Sequence, residues 1–539
     1  QGLAMDAPYD PRGNWKAKGP ELAFLAARRR ELRAGVEASE QRIAENRASV
    51  AAKLAPTLPL PDEFGINLDL VPMAHTQWLW GQVAGKLVRV GTWDELAAAG
   101  RDPGRDLDES DLRWSEVADL CMTLSPDVGT STNINPAMDA KIYGPEHEEN
   151  LETESDFKQR GRPELFMRAD PWTRHIRFEI AEANCMSALG AFGKMAALTG
   201  VPFLPMMTVY DFFIKRALDQ LYYNLYWGSS FLLLGTPSGV TLSPEGAQHS
   251  WKSDIQMPGL ITWEPCFARE MEWILADAIR RHVEGDIVDR NGVLVRAVTR
   301  GINQKQFLGR LRAQPRFQGV AKPELEAAVR KDVLAGGYKL VDRSGEPGYR
   351  PGENVVVVLA MGSLVDQAIE ASDALLEKGV HADVVVVTCA DLLVGRFAQR
   401  DGYAQLRRLG IDGALHLEAT GELDGAGAAL LAARHVPIVS VADGEEGLLD
   451  NAGSILGVRQ EALAVRKFSK SGTPTDIFRY QALDAAAIFD AVGKVLAETA
   501  LGEVRLGRAA YERLAGSMID GRPAPAWREL WPHQFGSDA

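Results

Sequence analysis

The chain has 539 residues, a formal net charge of −14 at pH 7, 46% hydrophobic residues and 24% charged residues. This length exceeds what one hydrophobic core usually organises, so the sequence predicts two or three domains. The negative charge excludes nucleic acid as the main partner, because neutralising phosphates requires clustered Lys and Arg. The longest apolar runs have strand length and are too short to cross a bilayer. We therefore expect a globular protein without a membrane partner.

The cysteines indicate the cellular compartment. They occur singly at Cys121, Cys185, Cys266 and Cys389, without the CxxC spacing of a zinc site or redox motif. Such scattered cysteines are typical of reduced thiols and not of a disulfide framework. The opening residues show no signal-peptide pattern. The sequence thus predicts a cytoplasmic protein and no metal-ligand set of its own.

Residues 1–111 are predicted to form an N-terminal arm, a helix and a lead-in segment. The helix covers Glu21–Leu54 and ends at a Pro-rich stretch. Its apolar residues recur near helical spacing, at Leu22, Leu25, Leu32, Val36, Ile43 and Val50. Since charged residues separate them, we expect a helix on the surface or packed against a partner.

Strand-like and helix-like segments alternate in the rest of the chain. The sequence predicts one α/β domain over 112–341 and a second over 352–505, separated by a Gly/Pro-rich linker and followed by a tail at 506–539. Such alternation favours parallel sheets with crossover helices. We therefore expect an α/β fold of two parallel-sheet domains.

Several sequence blocks, in a fixed order, resemble one enzyme family. They are RFEIAEANCMSALGAFG (177–193), then YDFFIKRALDQL, FLLLGTPSGVTLSPEGAQHS and PGLITWEPCFARE within 210–270, and then LAMGSLVDQAIEASDALLEKG and VRKFSKSGTPTDIFRY. The chain resembles the transketolase superfamily, and over 20–500 the second half of the homodimeric type of pyruvate dehydrogenase decarboxylase component. The resemblance implies that 112–341 is a pyrimidine-binding domain and 352–505 a transketolase C-terminal-like domain. It also implies thiamine diphosphate and Mg²⁺ as cofactors.

One motif of these enzymes is absent from the sequence. The metal–diphosphate motif, GDG followed by Asn, occurs nowhere in the 539 residues. ADGEEGLLDN (442–451) resembles it superficially, but its spacing is too short and it lies in the second domain. The resemblance therefore implies a second subunit that carries GDG…N and holds the metal and the diphosphate. We expect a site shared between the two subunits and a heterotetramer.

Two residues match catalytic positions of the family. Glu182 matches the glutamate that hydrogen-bonds the N1′ nitrogen of the aminopyrimidine; alternatively, it is an ordinary N-terminal Glu favoured by the helix dipole. His249, in EGAQH, matches the histidine that faces the reacting adduct. A histidine there can donate to a developing alkoxide or hold a substrate carboxylate. An ordinary loop histidine is the alternative.

Four residues match positions around the cofactor. Tyr210 and Phe213 match the aromatics that stack on the aminopyrimidine ring, although aromatics three apart on a helix are usually core residues. Asp127 and Ser131, in SPDVGTST, match a segment that lies near cofactor and substrate. Turn capping by Asp and Ser is the alternative reading of this pair.

Two cationic residues are candidates for binding the substrate, and they leave its chemical class undetermined. Arg300, in VTRGIN, matches an arginine that transketolases use for sugar phosphates, or is an ordinary loop arginine. The pyruvate dehydrogenase type has acidic and histidine residues after the EGxQH histidine, whereas this chain has SWKSD, in which Lys252 could hold an anion.

Three functional hypotheses follow. The first is decarboxylation of a 2-oxo acid with transfer to a lipoyl acyltransferase. The second is ketol transfer between sugars or sugar phosphates. The third is a non-catalytic or regulatory subunit, which the joint presence of Glu182, Tyr210, Phe213 and His249 disfavours.

Overall fold

The structure is a computed structural model that describes residues 19–91, 98, 107–127, 129–134, 175–236, 238–240, 257–285, 291–351, 353–394, 436–456 and 458–506. Within these residues the first sheet has six parallel strands in the order β2-β1-β3-β4-β6-β5. Its strands are β1 (Cys121–Ser125), β2 (His175–Arg177), β3 (Leu204–Val209), β4 (Phe231–Gly235), β5 (Leu260–Trp263) and β6 (Gly292–Arg296).

The central strands of this sheet are buried along their whole length. Every residue of β3 and β4 is buried, as expected for a parallel sheet that helices cover on both faces. The register places Leu124 opposite Met207 and Met207 opposite Leu233. The sequence therefore reads as continuous apolar runs here and not as an alternating pattern.

A second sheet lies further along the chain, in the order β11-β10-β8-β9-β7. Its strands are β7 (Gly337–Val341), β8 (Val355–Ala360), β9 (His381–Val387), β10 (Ile438–Val441) and β11 (Gln460–Leu463). All pairs are parallel except β7, which runs antiparallel to β9 with Tyr338 opposite Val386. The predicted first domain, 112–341, thus ends in a strand that pairs with the second sheet.

Fifteen α-helices lie between and around these strands in the described parts of the chain. They are α1 (Gly19–Leu54), α2 (Thr76–Gly91), α3 (Glu109–Leu112), α4 (Ser115–Ala118), α5 (Glu182–Gly193), α6 (Met195–Thr199), α7 (Leu218–Tyr226), α8 (Ala268–Glu284), α9 (Gln304–Ala313), α10 (Lys322–Leu334), α11 (Val365–Leu376), α12 (Ala390–Leu393), α13 (Ala452–Leu456), α14 (Pro474–Gln481) and α15 (Ala485–Leu506). No helix among the described residues combines the length and the apolar composition that crossing a bilayer requires.

Two predicted helices have a different form from the one expected. The sequence predicts one helix over 182–199, but Lys194 separates α5 from α6. It also predicts one helix over 210–227, whereas 211–217 is a 3₁₀ helix that continues as α7. The alternating pattern predicts a strand at 413–417 and helices at 396–408 and 424–434, which lie outside the described residues.

One apolar core joins the two sheets. Its buried side chains come from β3, β4 and β6 of the first sheet and from β8, β9 and β10 of the second. A smaller core lies between α5, the 3₁₀ helix and the other face of the first sheet. The carboxyl ends of the first sheet therefore lie against residues that follow the strands of the second.

Candidate cofactor site

The residues predicted to bind the cofactor follow the carboxyl ends of neighbouring parallel strands. Ser131 lies beyond the end of β1, Tyr210 follows β3 directly, and Glu182 begins the helix that follows β2. These three strands are adjacent in the order β2-β1-β3. Because parallel strands end at the same edge, ligand sites of open α/β sheets form there. The topology therefore brings these residues to one place.

Glu182 is a buried carboxylate at the start of α5. Its side chain is 10% exposed, and its Oε1 lies 3.0 Å from Nη1 of Arg216. The first turn of a helix stabilises a negative charge there. The pKa of Cys185, one turn further on, is raised mainly by burial and also by the charge of Glu182. The side chain thus offers a hydrogen-bond acceptor in a site with little access to water.

The aromatic residues present one partly open face beside this carboxylate. Tyr210 and Phe213 are stacked, with ring centroids 5.6 Å apart and an interplanar angle of 9°. Both are partly exposed, whereas Phe212 is 4% exposed and belongs to the packed interior. Phe213 is therefore placed to stack on a flat ligand.

Arg216 occupies that face, a position that sequence reasoning did not single out. Its guanidinium carbon lies 3.6 Å from the centre of the Phe213 ring while Nη1 donates a hydrogen bond to Glu182. The signal in the sequence is its spacing of three from Phe213, which puts both on one helical side. The guanidinium is flat and carries N–H donors. Its position shows that a flat donor stacked on Phe213 can reach Glu182.

Ser131 extends the site toward β1, whereas Asp127 pairs with Arg177 and forms no hydrogen bond to these site residues in the described part of the chain. The Tyr210 hydroxyl donates to Oγ of Ser131 at 3.0 Å, and Nε2 of Gln77 donates to the Ser131 carbonyl at 2.7 Å. Asp127 is half exposed and lies 3.5 Å from Nη2 of Arg177. A continuous series of contacts therefore runs from Ser131 through the aromatic pair and Arg216 to Glu182.

The predicted substrate residues are placed differently. Arg300 forms a two-point ion pair with Asp366, at 3.1 and 2.6 Å, and its guanidinium lies 4.8 Å from the ring centre of Phe478. It thereby links the first sheet to α11 and α14, and anion binding by Arg300 requires exchange of that ion pair. His249 and Lys252 lie outside the described residues, so their roles stay predictions.

A buried ionic cluster lies next to the site, because one of its members, Asp211, directly follows Tyr210 in the chain. Arg296 is 1% exposed, donates to Asp211 at 3.1 Å and to the Asp443 carbonyl at 3.1 Å, and is ion-paired with Glu264. Burial raises the pKa of Glu264 to about 7 against the opposing effect of Arg296. The pKa of Asp211 is also raised by burial. Sequence reasoning missed this cluster because its members are more than thirty residues apart.

Asp443 connects this cluster to the residues that follow β4. It accepts hydrogen bonds from the Val240 amide at 2.9 Å and from the Ser363 hydroxyl at 2.8 Å. Gly239 has a φ of +88°, and a Cβ there would lie 2.3 Å from Oδ2 of Asp443. Only glycine fits this close approach. Asp443 of the ADGEEG stretch thus holds the end of the GTPSGV segment.

Because the sequence lacks the GDG motif, it predicts that a partner subunit holds Mg²⁺. Among the residues that the structure describes, no group of three or more His, Cys, Asp or Glu side chains could hold a metal ion. All four cysteines are buried free thiols.

The comparisons with known proteins concern both domains. Residues 336–484 match the family of the transketolase-like TK C-terminal domain. The resemblance to the transketolase superfamily is confirmed. The match begins at the turn into β7, so the matched region of this chain includes the antiparallel edge strand.

Two curated proteins are similar in sequence to part of this chain. The chain is 25% identical over 228 residues to a 1-deoxy-D-xylulose-5-phosphate synthase from Chlorobium luteolum, covering 41% of this chain and 29% of the relative. It is 26% identical over 220 residues to a pyruvate dehydrogenase E1 component from Cupriavidus necator, covering 38% of this chain and 21% of the relative. The matches thus span less than a third of either relative.

A solved structure agrees on the fold. A transketolase variant from Pichia stipitis superposes with a TM-score of 0.50 at 15% identity, covering 89% of this chain and 52% of that one. This likeness confirms the predicted α/β fold class. The similarity to the family of thiamine-diphosphate enzymes rests on the C-terminal-domain match and on the two relatives.

Proposed function

We propose that this chain supplies the aminopyrimidine-binding half of a thiamine-diphosphate-dependent active site. The observation that carries the proposal is the arrangement of Glu182, Phe213 and Arg216. A flat hydrogen-bond donor already lies on the ring of Phe213 and donates to the buried carboxylate. The aminopyrimidine ring has the same two properties, a flat face and polar nitrogen atoms at its edge.

Each residue has a defined part in this proposal. The protonated carboxyl of Glu182 donates a hydrogen bond to a ring nitrogen of the aminopyrimidine and shares that proton with it. Phe213 and Tyr210 hold the ring plane, and Ser131 fixes the Tyr210 hydroxyl. Arg216 leaves the ring face when the cofactor enters. Thiamine diphosphate supplies the nucleophilic carbon and the electron sink once it is bound.

The diphosphate and the metal are held from outside these 539 residues. The sequence contains no GDG motif, and we place that motif, with Mg²⁺, on a second subunit. Two copies of each subunit would give the expected heterotetramer. Cofactor affinity then depends on both polypeptides.

The reaction we propose is cleavage of a carbon–carbon bond next to a carbonyl, most like that of the decarboxylase component of pyruvate dehydrogenase. The 26% identity to a pyruvate dehydrogenase E1 component supports this choice. Ketol transfer between sugars or sugar phosphates is the alternative, supported by the transketolase-like C-terminal domain. A lipoyl acyltransferase would be a further partner in the first reaction only.

Titration calorimetry with thiamine diphosphate and Mg²⁺ tests the proposal. The titrations use this chain alone, a GDG-bearing candidate partner alone, and the two mixed. We expect binding in the mixture that is lost with Glu182→Ala and kept with Glu179→Ala, a matched glutamate that is 62% exposed at its side chain. Equal binding by mixtures with and without Glu182 would overturn the proposal. A competent mixture is then supplied with pyruvate or ketose phosphates to separate the two reactions.

A further inference from the structure

Half of the long helix α1 extends away from the rest of the described chain. α1 has 36 residues, which corresponds to about 54 Å. Its C-terminal part packs on the first domain: Nδ2 of Asn46 donates to the Thr199 carbonyl at 2.8 Å, and Leu54 is buried. Five large apolar side chains of the N-terminal part are each more than half exposed, namely Leu22 at 55%, Phe24 at 64%, Leu25 at 54%, Leu32 at 54% and Val36 at 51%.

Four of these side chains, all except Phe24, lie on one heptad repeat that runs along the helix. If Leu22 is an a position, the a positions are 22, 29, 36, 43 and 50, and the d positions are 25, 32, 39, 46 and 53. Six of these ten positions are apolar, at Leu22, Leu25, Leu32, Val36, Ile43 and Val50. An apolar a/d repeat over several heptads is typical of coiled coils. Ile43 and Val50 of the same repeat are half-buried at the body of the protein, whereas the apolar positions of the first three heptads are exposed in the described part of the chain.

We propose that a second copy of this chain covers the exposed half, and that the two α1 helices form an antiparallel coiled coil over residues 19–42. We define the four exposed side chains Leu22, Leu25, Leu32 and Val36 as the α1 seam. In an antiparallel pair each a position packs opposite a d position of the second helix. The proposed register places Leu25 opposite Val36 of the second copy, so that any two opposite residue numbers sum to 61. The same register puts Arg29 opposite Leu32, which can cover the guanidinium stem.

Charged residues at and beside the a and d positions favour antiparallel pairing in this register over the alternatives. In a parallel pair Arg29 would face Arg29 of the second copy in the core, so like charges would repel. In the antiparallel register Glu21 lies beside Arg42 of the second copy, twice by symmetry. Shifting the antiparallel register by one heptad in either direction places two arginines together, Arg28 with itself or with Arg42. The complementary charges thus favour one register.

The position of the protein body agrees with this pairing. The helix is bound to its own domain from about Ile43 onward, where a Cβ on Gly200 would lie 2.2 Å from the Ile43 carbonyl oxygen. Two parallel helices would have to separate at this point. Two antiparallel helices place the bodies at opposite ends of a contact about 36 Å long. The inference concerns residues remote from Glu182 and does not depend on the proposed function.

Cysteine cross-linking of the full chain tests the proposal. The natural cysteines in the described residues are buried, so an introduced exposed thiol reports its own position. We expect an equal mixture of Leu25→Cys and Val36→Cys proteins to form a covalent dimer under mild oxidation. Each variant alone should give less than a tenth of that yield. Phe24→Cys mixed with Val36→Cys is the matched control, because Phe24 is 64% exposed but lies off the α1 seam.

Sedimentation supplies the second readout. Leu32→Glu should abolish the cross-link between the Leu25→Cys and Val36→Cys proteins and raise the dimer dissociation constant at least tenfold, whereas Phe24→Glu should change neither. Since both sites are exposed, helicity by circular dichroism should stay unchanged in both variants. Cross-linking by Leu25→Cys alone would mean parallel pairing and overturn the proposal. Cross-links that require a GDG-bearing partner would overturn it in favour of a heterologous contact.

Discussion

Replacing Arg216 by methionine tests how the candidate site is filled before the cofactor binds. Arg216 contacts both groups that the aminopyrimidine would use, Glu182 at 3.0 Å and the Phe213 ring at 3.6 Å. A ligand that stacks on Phe213 must displace this guanidinium. Methionine keeps the apolar stem but removes the donors and the charge, so the variant should bind the ring more tightly.

The expected gain follows from the two contacts that are lost. The Arg216 side chain is 54% exposed, so its ion pair is worth about 0.2–1 kcal/mol. An exposed cation–π contact adds about 0.5–1 kcal/mol. Displacing both costs about 0.7–2 kcal/mol, which corresponds to a change in the dissociation constant of roughly 3- to 30-fold.

Thiamine, which lacks the diphosphate, is a suitable probe because it tests the ring site of this chain alone. Its dissociation constant can be measured by saturation-transfer NMR. We expect Arg216→Met to lower that constant by about tenfold. Lys215→Met is the matched control, because Lys215 pairs with Glu445 at 3.6 Å and not with Glu182. Weaker binding by Arg216→Met, or an equal effect of Lys215→Met, would refute the reasoning.

Three further predictions concern the framework of the site. Burial raises the pKa of Glu264 from 4.5 to about 7, so between these pH values the folded state keeps a proton that the unfolded state has released. The free energy of unfolding should therefore fall by up to about 3 kcal/mol as the pH rises from 4.5 to 7. Urea titrations should show that Glu264→Gln removes most of this pH dependence. Gly239→Ala should lower the free energy of unfolding by about 1–3 kcal/mol, since a Cβ at φ +88° meets Asp443; unchanged stability would contradict the close approach. Tyr210→Phe and Ser131→Ala should show a coupling of about 0.5–1.5 kcal/mol in a double-mutant cycle, and strict additivity would mean that their hydrogen bond contributes nothing.

The fold was predictable to the extent that local patterns determine it. The buried strands β4 and β8 are continuous apolar runs, and the sequence predicts them as Phe231–Leu234 and Asn354–Met361, within one residue of the structure at each end. The direction of β7 was not predictable, because it depends on pairing with β9, more than forty residues away. The break at Lys194 depends similarly on packing: a Cβ at Gly193 would lie 2.4 Å from the Ser230 carbonyl oxygen.

The candidate site was predictable only through the family resemblance. Spacing alone could not distinguish Glu182 from an ordinary helix-starting glutamate. Its ion pair with Arg216 spans 34 positions and appears only once the strands are ordered. The cluster around Arg296 combines residues 211, 264 and 443, which no local pattern connects. Long-range ionic contacts are therefore what the sequence leaves undetermined.

Exchange of the C2 hydrogen of bound thiamine diphosphate with solvent deuterium tests the central claim most directly. The measurement uses NMR on the complex of this chain with its GDG-bearing partner, with the cofactor saturating in every sample. If Glu182 shares a proton with the aminopyrimidine, Glu182→Gln should slow the exchange by about 10²- to 10⁴-fold, while Glu179→Gln should leave it unchanged. Exchange at the same rate in Glu182→Gln and wild type would contradict the assignment of Glu182 as the activating carboxylate.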